Sequence, residues 1–183
     1  MELKVVPNLY LCARISVIWD TTTSVDDKDD EMTSTQLNSH VNMAVVGRHS
    51  TVINRSGKSA DVRPFSEDCS QMAAVPIVDV AVAYDCPYIL KTYIMVVKSA
   101  LHVPSMNHNL VPPFILQEAG LIVNGVLKIC TKQEYLTNET HCIVSKDYSD
   151  NNGTDLRIRM KLDEIFSYFP TRNLIMNELE NCE

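Results

Sequence analysis

The stretch Pro76-Ile77-Val78-Asp79-Val80-Ala81-Val82-Ala83-Tyr84 alternates large apolar residues with small or polar ones, and residues 89–97 answer it with a second β-branched and aromatic run. Between them stands Asp85-Cys86-Pro87. A period of two puts alternate side chains on one face of a strand. Proline cannot donate to a strand ladder, so Pro87 ends the first strand, and the second run reads as its returning partner. Working outward, residues 41–46 form a short apolar strand. Residues 50–54 and 60–63 flank Arg55-Ser56-Gly57-Lys58, where Gly57 supplies a positive φ, which predicts a hairpin. Residues 101–103 make another short strand.

One helix is clearly signalled. Pro112 and Pro113 fit a first helical turn, where a missing N–H costs nothing; residues 114–119 supply the body, and Gly120 is a natural residue just past the end. At about two turns it must be held by packing rather than propensity. Strands are expected at residues 121–123, 126–130, 142–145 and 156–162, with a loop at 150–153. A second, terminal helix is expected over 171–179, with Thr171 as N-cap and Ile175 and Leu179 on its apolar face. Upstream, residues 9–19 make one moderately apolar strand, and residues 26–31 form an acidic linker with nothing to bury. The chain thus divides into an N-terminal extension and linker (1–35), a compact β domain (36–130) and a C-terminal extension (131–183).

Composition sets the wider limits. Among 183 residues, 16 are Lys or Arg and 23 are Asp or Glu, a formal charge of −7, and 45% are apolar. That is ordinary for a globular chain and too apolar for wholesale disorder. The negative charge and the lack of a basic stripe argue against nucleic acid as partner. No apolar run reaches the ~18 residues of a membrane-spanning helix, and the start Met-Glu-Leu-Lys is a poor secretory signal, so no membrane partner is expected. Cys12, Cys69, Cys86, Cys130, Cys142 and Cys182 are scattered, with no C-x-x-C pair for zinc, and read as reduced thiols of a cytoplasmic protein. His102 and His108 have neither the spacing nor the ligand count of a metal site. No phosphate-cradling glycine motif or G-x-S-x-G elbow is present, and no cofactor is expected.

Two further stretches carry a resemblance. Gln36-Leu37-Asn38-Ser39-His40-Val41-Asn42-Met43-Ala44-Val45-Val46-Gly47 and Ala100-Leu101-His102-Val103-Pro104-Ser105-Met106-Asn107-His108-Asn109-Leu110-Val111-Pro112-Pro113-Phe114 together resemble the protease region of copia-type retrotransposon polyproteins, a retropepsin-like family. Ala81-Val82-Ala83-Tyr84-Asp85 and Ile165-Phe166-Ser167-Tyr168-Phe169 are similar to such elements too. The resemblance implies a small closed β-barrel with one short helix, extended by C-terminal strands and a terminal helix. It also implies a homodimer acting on an extended peptide or polyprotein segment, each subunit supplying an Asp-Thr/Ser-Gly loop or its Asp-Ser-His relative. Two carboxylates about 3 Å apart share one proton, one serving as base towards water and the other as acid.

In this chain the triplet is Asn38-Ser39-His40. An amide stands at the family's catalytic Asp, and symmetry would remove both acids of the dyad at once. The expectation is a protease-like domain without protease activity. Two alternatives stand beside it. One is an active aspartic endopeptidase using another acid, such as Asp20 in Trp19-Asp20-Thr21-Thr22; the other is a non-catalytic β interaction domain. Asp79 reads as an edge-facing carboxylate and Asp85 as a turn residue. Tyr84, Tyr88 and Tyr93 read as cross-strand packing, with a flap over a peptide groove as the other possibility.

Overall fold

The computed structural model describes residues 9–14, 32–63, 71–87, 91–125, 139–149, 155–163, 166–175 and 178–179. Asp20, Tyr88, the acidic linker, the strand expected at 126–130 and the loop at 150–153 lie outside them. The described chain is mostly β: β1 (Leu9–Arg14), β2 (Met32–Leu37), β3 (Val45–Val46), β4 (Thr51–Val62), β5 (Met72–Cys86), β6 (Lys91–His102), β7 (Asn109–Val111), α1 (Pro113–Glu118), β8 (Ile122–Asn124), β9 (Cys142–Ser149), β10 (Asp155–Arg159), β11 (Lys161–Asp163) and β12 (Phe166–Arg172). The one described helix is far too short to cross a membrane.

The alternation over residues 76–84 does become a strand. Val78, Val80, Val82, Tyr84 and Cys86 of β5 face one apolar core, and Tyr93, Met95 and Val97 of β6 join them. The two strands pair antiparallel, with Tyr84 opposite Tyr93. Both tyrosines are buried, and Tyr84 meets Phe169 of β12 edge to face, with ring centroids 6.1 Å apart. Cross-strand packing is therefore what these two aromatics do. The helix also forms where the prolines place it. Its N-cap is Pro112, Gly120 takes φ +83°, and Ile115 and Leu116 turn into the core. Ile143, Leu156 and Ile158, from a second three-stranded sheet in the order β10-β9-β8, pack into the same core.

Nine strands make the larger sheet. Its pairings run from β6 to β3, β7, β2, β12 and β5, and β5 pairs again with β6, so the path returns to its start. β2 lies between β12, antiparallel, and β7, parallel. β3 pairs with β6 in parallel and with β7 antiparallel. β1 borders β6 and β4 borders β5. Strands from the N-terminal, central and C-terminal segments thus share one sheet.

Three sequence expectations are corrected. First, residues 55–58 do not turn the chain back. β4 runs straight through them, and its step from Arg55 to Ser59 is absorbed against the shorter step from Val78 to Pro76 in β5. Gly57, at φ +71°, serves a bulge rather than a hairpin. Second, the strand expected over 41–46 shrinks to Val45–Val46, because residues 38–44 form a loop. Third, no described residue of the expected terminal helix over 171–179 is helical. Thr171 lies within β12, opposite Thr33 of β2, and its buried hydroxyl is 3.0 Å from that of Thr35. A strand partner that satisfies the backbone and a buried hydroxyl outweighs a modest helical pattern.

The end of β12 carries an ionic clamp. Arg172 donates through Nε and Nη2 to both oxygens of Asp85, at 2.7 and 2.9 Å, and through Nη1 and Nη2 to both oxygens of Glu178, each at 2.9 Å. Glu178 is buried, and one of its oxygens also accepts the Ile175 N–H. Burial raises the Asp85 carboxyl, but hydrogen bonds from Arg172 and Thr92 and the Arg172 charge outweigh it and leave it below its usual value. Glu178 is likewise raised by burial and lowered further by Arg172 and the Ile175 N–H, for a net lowering.

Since both carboxyls titrate lower in the folded state, an unfolded chain takes up their protons first as pH falls. The clamp's contribution is complete above about pH 5, the upper end of the ordinary carboxylate range, and drains away as pH drops through the lower folded values. Arg172→Met removes the cation that faces both carboxylates, one of them the buried Glu178, and is expected to cost up to about 3–5 kcal/mol near neutral pH. It is also expected to reverse the local slope. The variant recovers relative to wild type on acidification, because protonation removes a buried charge that no longer faces a cation. Urea midpoints of both proteins across that range check this, and parallel curves would contradict the clamp.

Candidate functional site

β2 ends at Leu37, and the chain turns at once through Asn38-Ser39-His40. Asn38 is half-buried, and Ser39 and His40 are exposed. The Asn38 N–H donates to the Val111 carbonyl at 3.2 Å, extending the parallel β2–β7 pairing by one step. The Asn38 side chain folds forward, and its Oδ1 accepts the His40 N–H at 2.9 Å. This is an Asx turn, which an aspartate makes equally well. The loop is tied down again at Ala44, whose carbonyl accepts the Leu101 N–H at 2.9 Å. Met43, within the loop, packs in a second apolar cluster with Val45, Ala60, Val62, Val75, Ile77, Leu101, Val103 and Met106. That cluster brings the outer arm of β4 and β5 alongside the loop.

A buried polar chain fixes the register of β2. Asn109, at the start of β7 and 2% exposed, accepts the Gly47 N–H on Oδ1 at 2.9 Å and donates through Nδ2 to Thr35 Oγ1 at 3.4 Å. Thr35 reaches Thr171 in turn, so β7, β2 and β12 are linked in series. The Ser50 hydroxyl lies 2.8 Å from Asn109 Oδ1 and 3.1 Å from the Gly47 carbonyl, with one proton to give to either. Thr33 Oγ1 donates to the Asn107 carbonyl. Gly47 has no room for a side chain, because a Cβ there would run into the Met106 carbonyl oxygen and come within 3.0 Å of that of His108. Sequence reading assigned no role to Asn109 or Thr35, and gave Thr171 a different one, the cap of a helix. Nothing in the sequence singles them out from their polar neighbours, and no spacing along the chain reveals a partner across 74 or 136 residues.

Among the described residues, the other two candidate acids are occupied. Asp79 accepts the Ser99 N–H on Oδ1 and the Asn54 amide on Oδ2, both at 2.9 Å. Ser99 takes φ +56° at a bulge where β6 outruns β5 between Val78 and Val80. Asp79 thus holds an irregular ladder step rather than an open carboxylate. Asp85 gives both oxygens to Arg172. Among the described residues, no three His, Cys, Asp or Glu gather as metal ligands. Cys86 and Cys142 are free and buried. Burial pushes the Cys142 thiol up, away from the thiolate a nucleophile needs.

No family model, no curated protein and no solved structure matches the chain.

Asn109→Ala removes the link between β7, β2 and the Gly47 turn and leaves the Gly47 N–H without its acceptor. The expected cost is about 1–3 kcal/mol in unfolding free energy, the penalty for a stranded buried donor. Gly47→Ala is expected to weaken the same region by forcing the Met106 segment away. Hydrogen exchange at Gly47 and Asn38 checks both, since each variant should speed exchange at the two amides together.

Proposed function

We propose that this chain is a retropepsin-like domain of a retroelement polyprotein whose catalytic acid has been replaced by Asn38. The observation that carries the reading is the Asn38-Ser39-His40 turn. It sits at the end of a strand held between an antiparallel and a parallel neighbour, with the His40 N–H on the side-chain oxygen of residue 38. That turn would orient a carboxylate with one oxygen engaged and the other open to water. The closed circuit of strand pairings supports a small barrel of the retropepsin type. The β4–β5 arm beside the loop supports a groove for an extended peptide held by strand addition.

On this reading two copies meet at a two-fold axis, each bringing one turn, so that the two side chains at position 38 face each other. With aspartates there, one proton would be shared, and the ionised partner would take a proton from the attacking water while the other protonates the leaving amine. An asparagine can do neither. Losing one general base costs roughly 10²–10⁴-fold, and losing the pair leaves no acid–base path. The wild-type domain therefore binds peptide without cutting it.

Asn38→Asp is expected to produce endopeptidase activity in mildly acidic buffer, while freshly prepared parent protein with its amide intact shows none. Activity should rise faster than linearly with protein concentration until the dimer is saturated. Circular dichroism first establishes that both proteins are folded. Equal cleavage by both would point to another acid. Cleavage by neither, with folding intact, would overturn the protease reading and favour a β interaction domain.

A further inference from the structure

The Asn38 side chain folds forward along the chain, with its carbonyl oxygen on the His40 N–H at 2.9 Å. That bond withdraws electron density from Cγ, and it leaves the amide nitrogen, Nδ2, as the group able to depart. The residue that follows is serine, which is small and exposed, and His40 beyond it is exposed as well. Water therefore reaches the turn, and no branched side chain shields the Ser39 peptide nitrogen.

We propose that Asn38 converts itself to an aspartyl residue by intramolecular deamidation, so that the domain generates its missing acid with age; the consequence for activity rests on the protease reading above. The Ser39 backbone nitrogen gives up its proton and bonds to Asn38 Cγ. The Cγ–Nδ2 bond breaks, and Nδ2 leaves as ammonia, taking up a proton. A five-membered cyclic imide results. Water then adds to one imide carbonyl. Opening at the side-chain carbonyl breaks the new N–Cγ bond and restores the normal backbone with a carboxylate at position 38. Opening at the main-chain carbonyl gives the isoaspartyl form. Water is the one co-reactant, and no oxidant or reductant is needed. The Asx turn accepts the product, because a carboxylate oxygen takes the same bond from the His40 N–H. In a dimer, conversion in both copies supplies the pair that shares a proton.

Asn124-Gly125 provides an internal clock, since Gly125 is exposed and its surroundings are open. Full-length wild-type protein, incubated in mildly alkaline buffer at physiological temperature, is sampled over time. Peptide mapping by mass spectrometry reads amide-to-acid conversion at positions 38 and 124, and the same samples are assayed for peptide cleavage beside Asn38→Asp. The expected result is acid accumulating at position 38, with cleavage rising in parallel. Ser39→Gly should convert several-fold faster and Ser39→Val several-fold slower. Conversion at position 124 with the amide intact at position 38 would overturn the proposal. Conversion at position 38 with activity in Asn38→Asp but none in aged protein would overturn the activating role. Conversion with no activity in either protein would uphold the chemistry and place the failure in the protease reading.

Discussion

The buried amide of Asn109 is the constraint on which the rest of the molecule depends. A polar side chain with 2% exposure costs stability unless its groups are met, and here both its oxygen and its nitrogen are met. Gly47 meets the oxygen, Thr35 meets the nitrogen, and Thr35 passes the connection to Thr171. A one-residue slip of β2 would turn Thr35 to the opposite face and leave these groups stranded in an apolar interior. The network therefore selects a single register for β2, and through it the position of the turn that begins at Asn38. The turn's own bonds, to Val111 and within the Asx ring, fix the last step.

Much of the architecture is legible in the residues because local chemistry and tertiary packing agree. The alternation from Val78 to Tyr84 matches the core-facing side of β5. Pro112, Pro113 and Gly120 bracket a helix whose body is too short to allow another reading. The misreadings fall where the two disagree. Arg55-Ser56-Gly57-Lys58 has the composition of a turn, but β5 offers a continuous partner on one side, and the positive φ of Gly57 is absorbed as a bulge. Residues 171–175 carry part of a helical pattern, yet the β2 edge needs a strand, and Thr171 has a buried partner waiting. A sequence shows spacing along the chain, and it does not show which distant strand lies alongside.

The same asymmetry governs the candidate site. Asn38-Ser39-His40 could be picked out as a triplet, because its residues are adjacent and their order is meaningful. The residues that hold it, Asn109 and Thr35 above all, are single polar letters separated by 74 positions. Asp79 and Asp85 show the converse. Their surroundings in the sequence already read as structural, an edge-facing carboxylate and a turn residue, and their donors, Ser99 and Asn54 for one and Arg172 for the other, show what each carboxylate holds.

The bond between Thr35 and Thr171 joins residues 136 positions apart. Closing a loop of that length is paid for in chain entropy before any contact repays it, and the parallel pairings of β2 with β7 and β3 with β6 add further long-range steps. During synthesis, β2 leaves the ribosome before β12 and waits for it with one of its edges open. Its companion β7 arrives sooner, so β2 is half-paired until β12 emerges, and the strand that leads into the Asn38 turn gains its second neighbour only then. Until β12 arrives, the exposed edge of β2 is the place where the nascent chain can join another strand, its own or that of a neighbour.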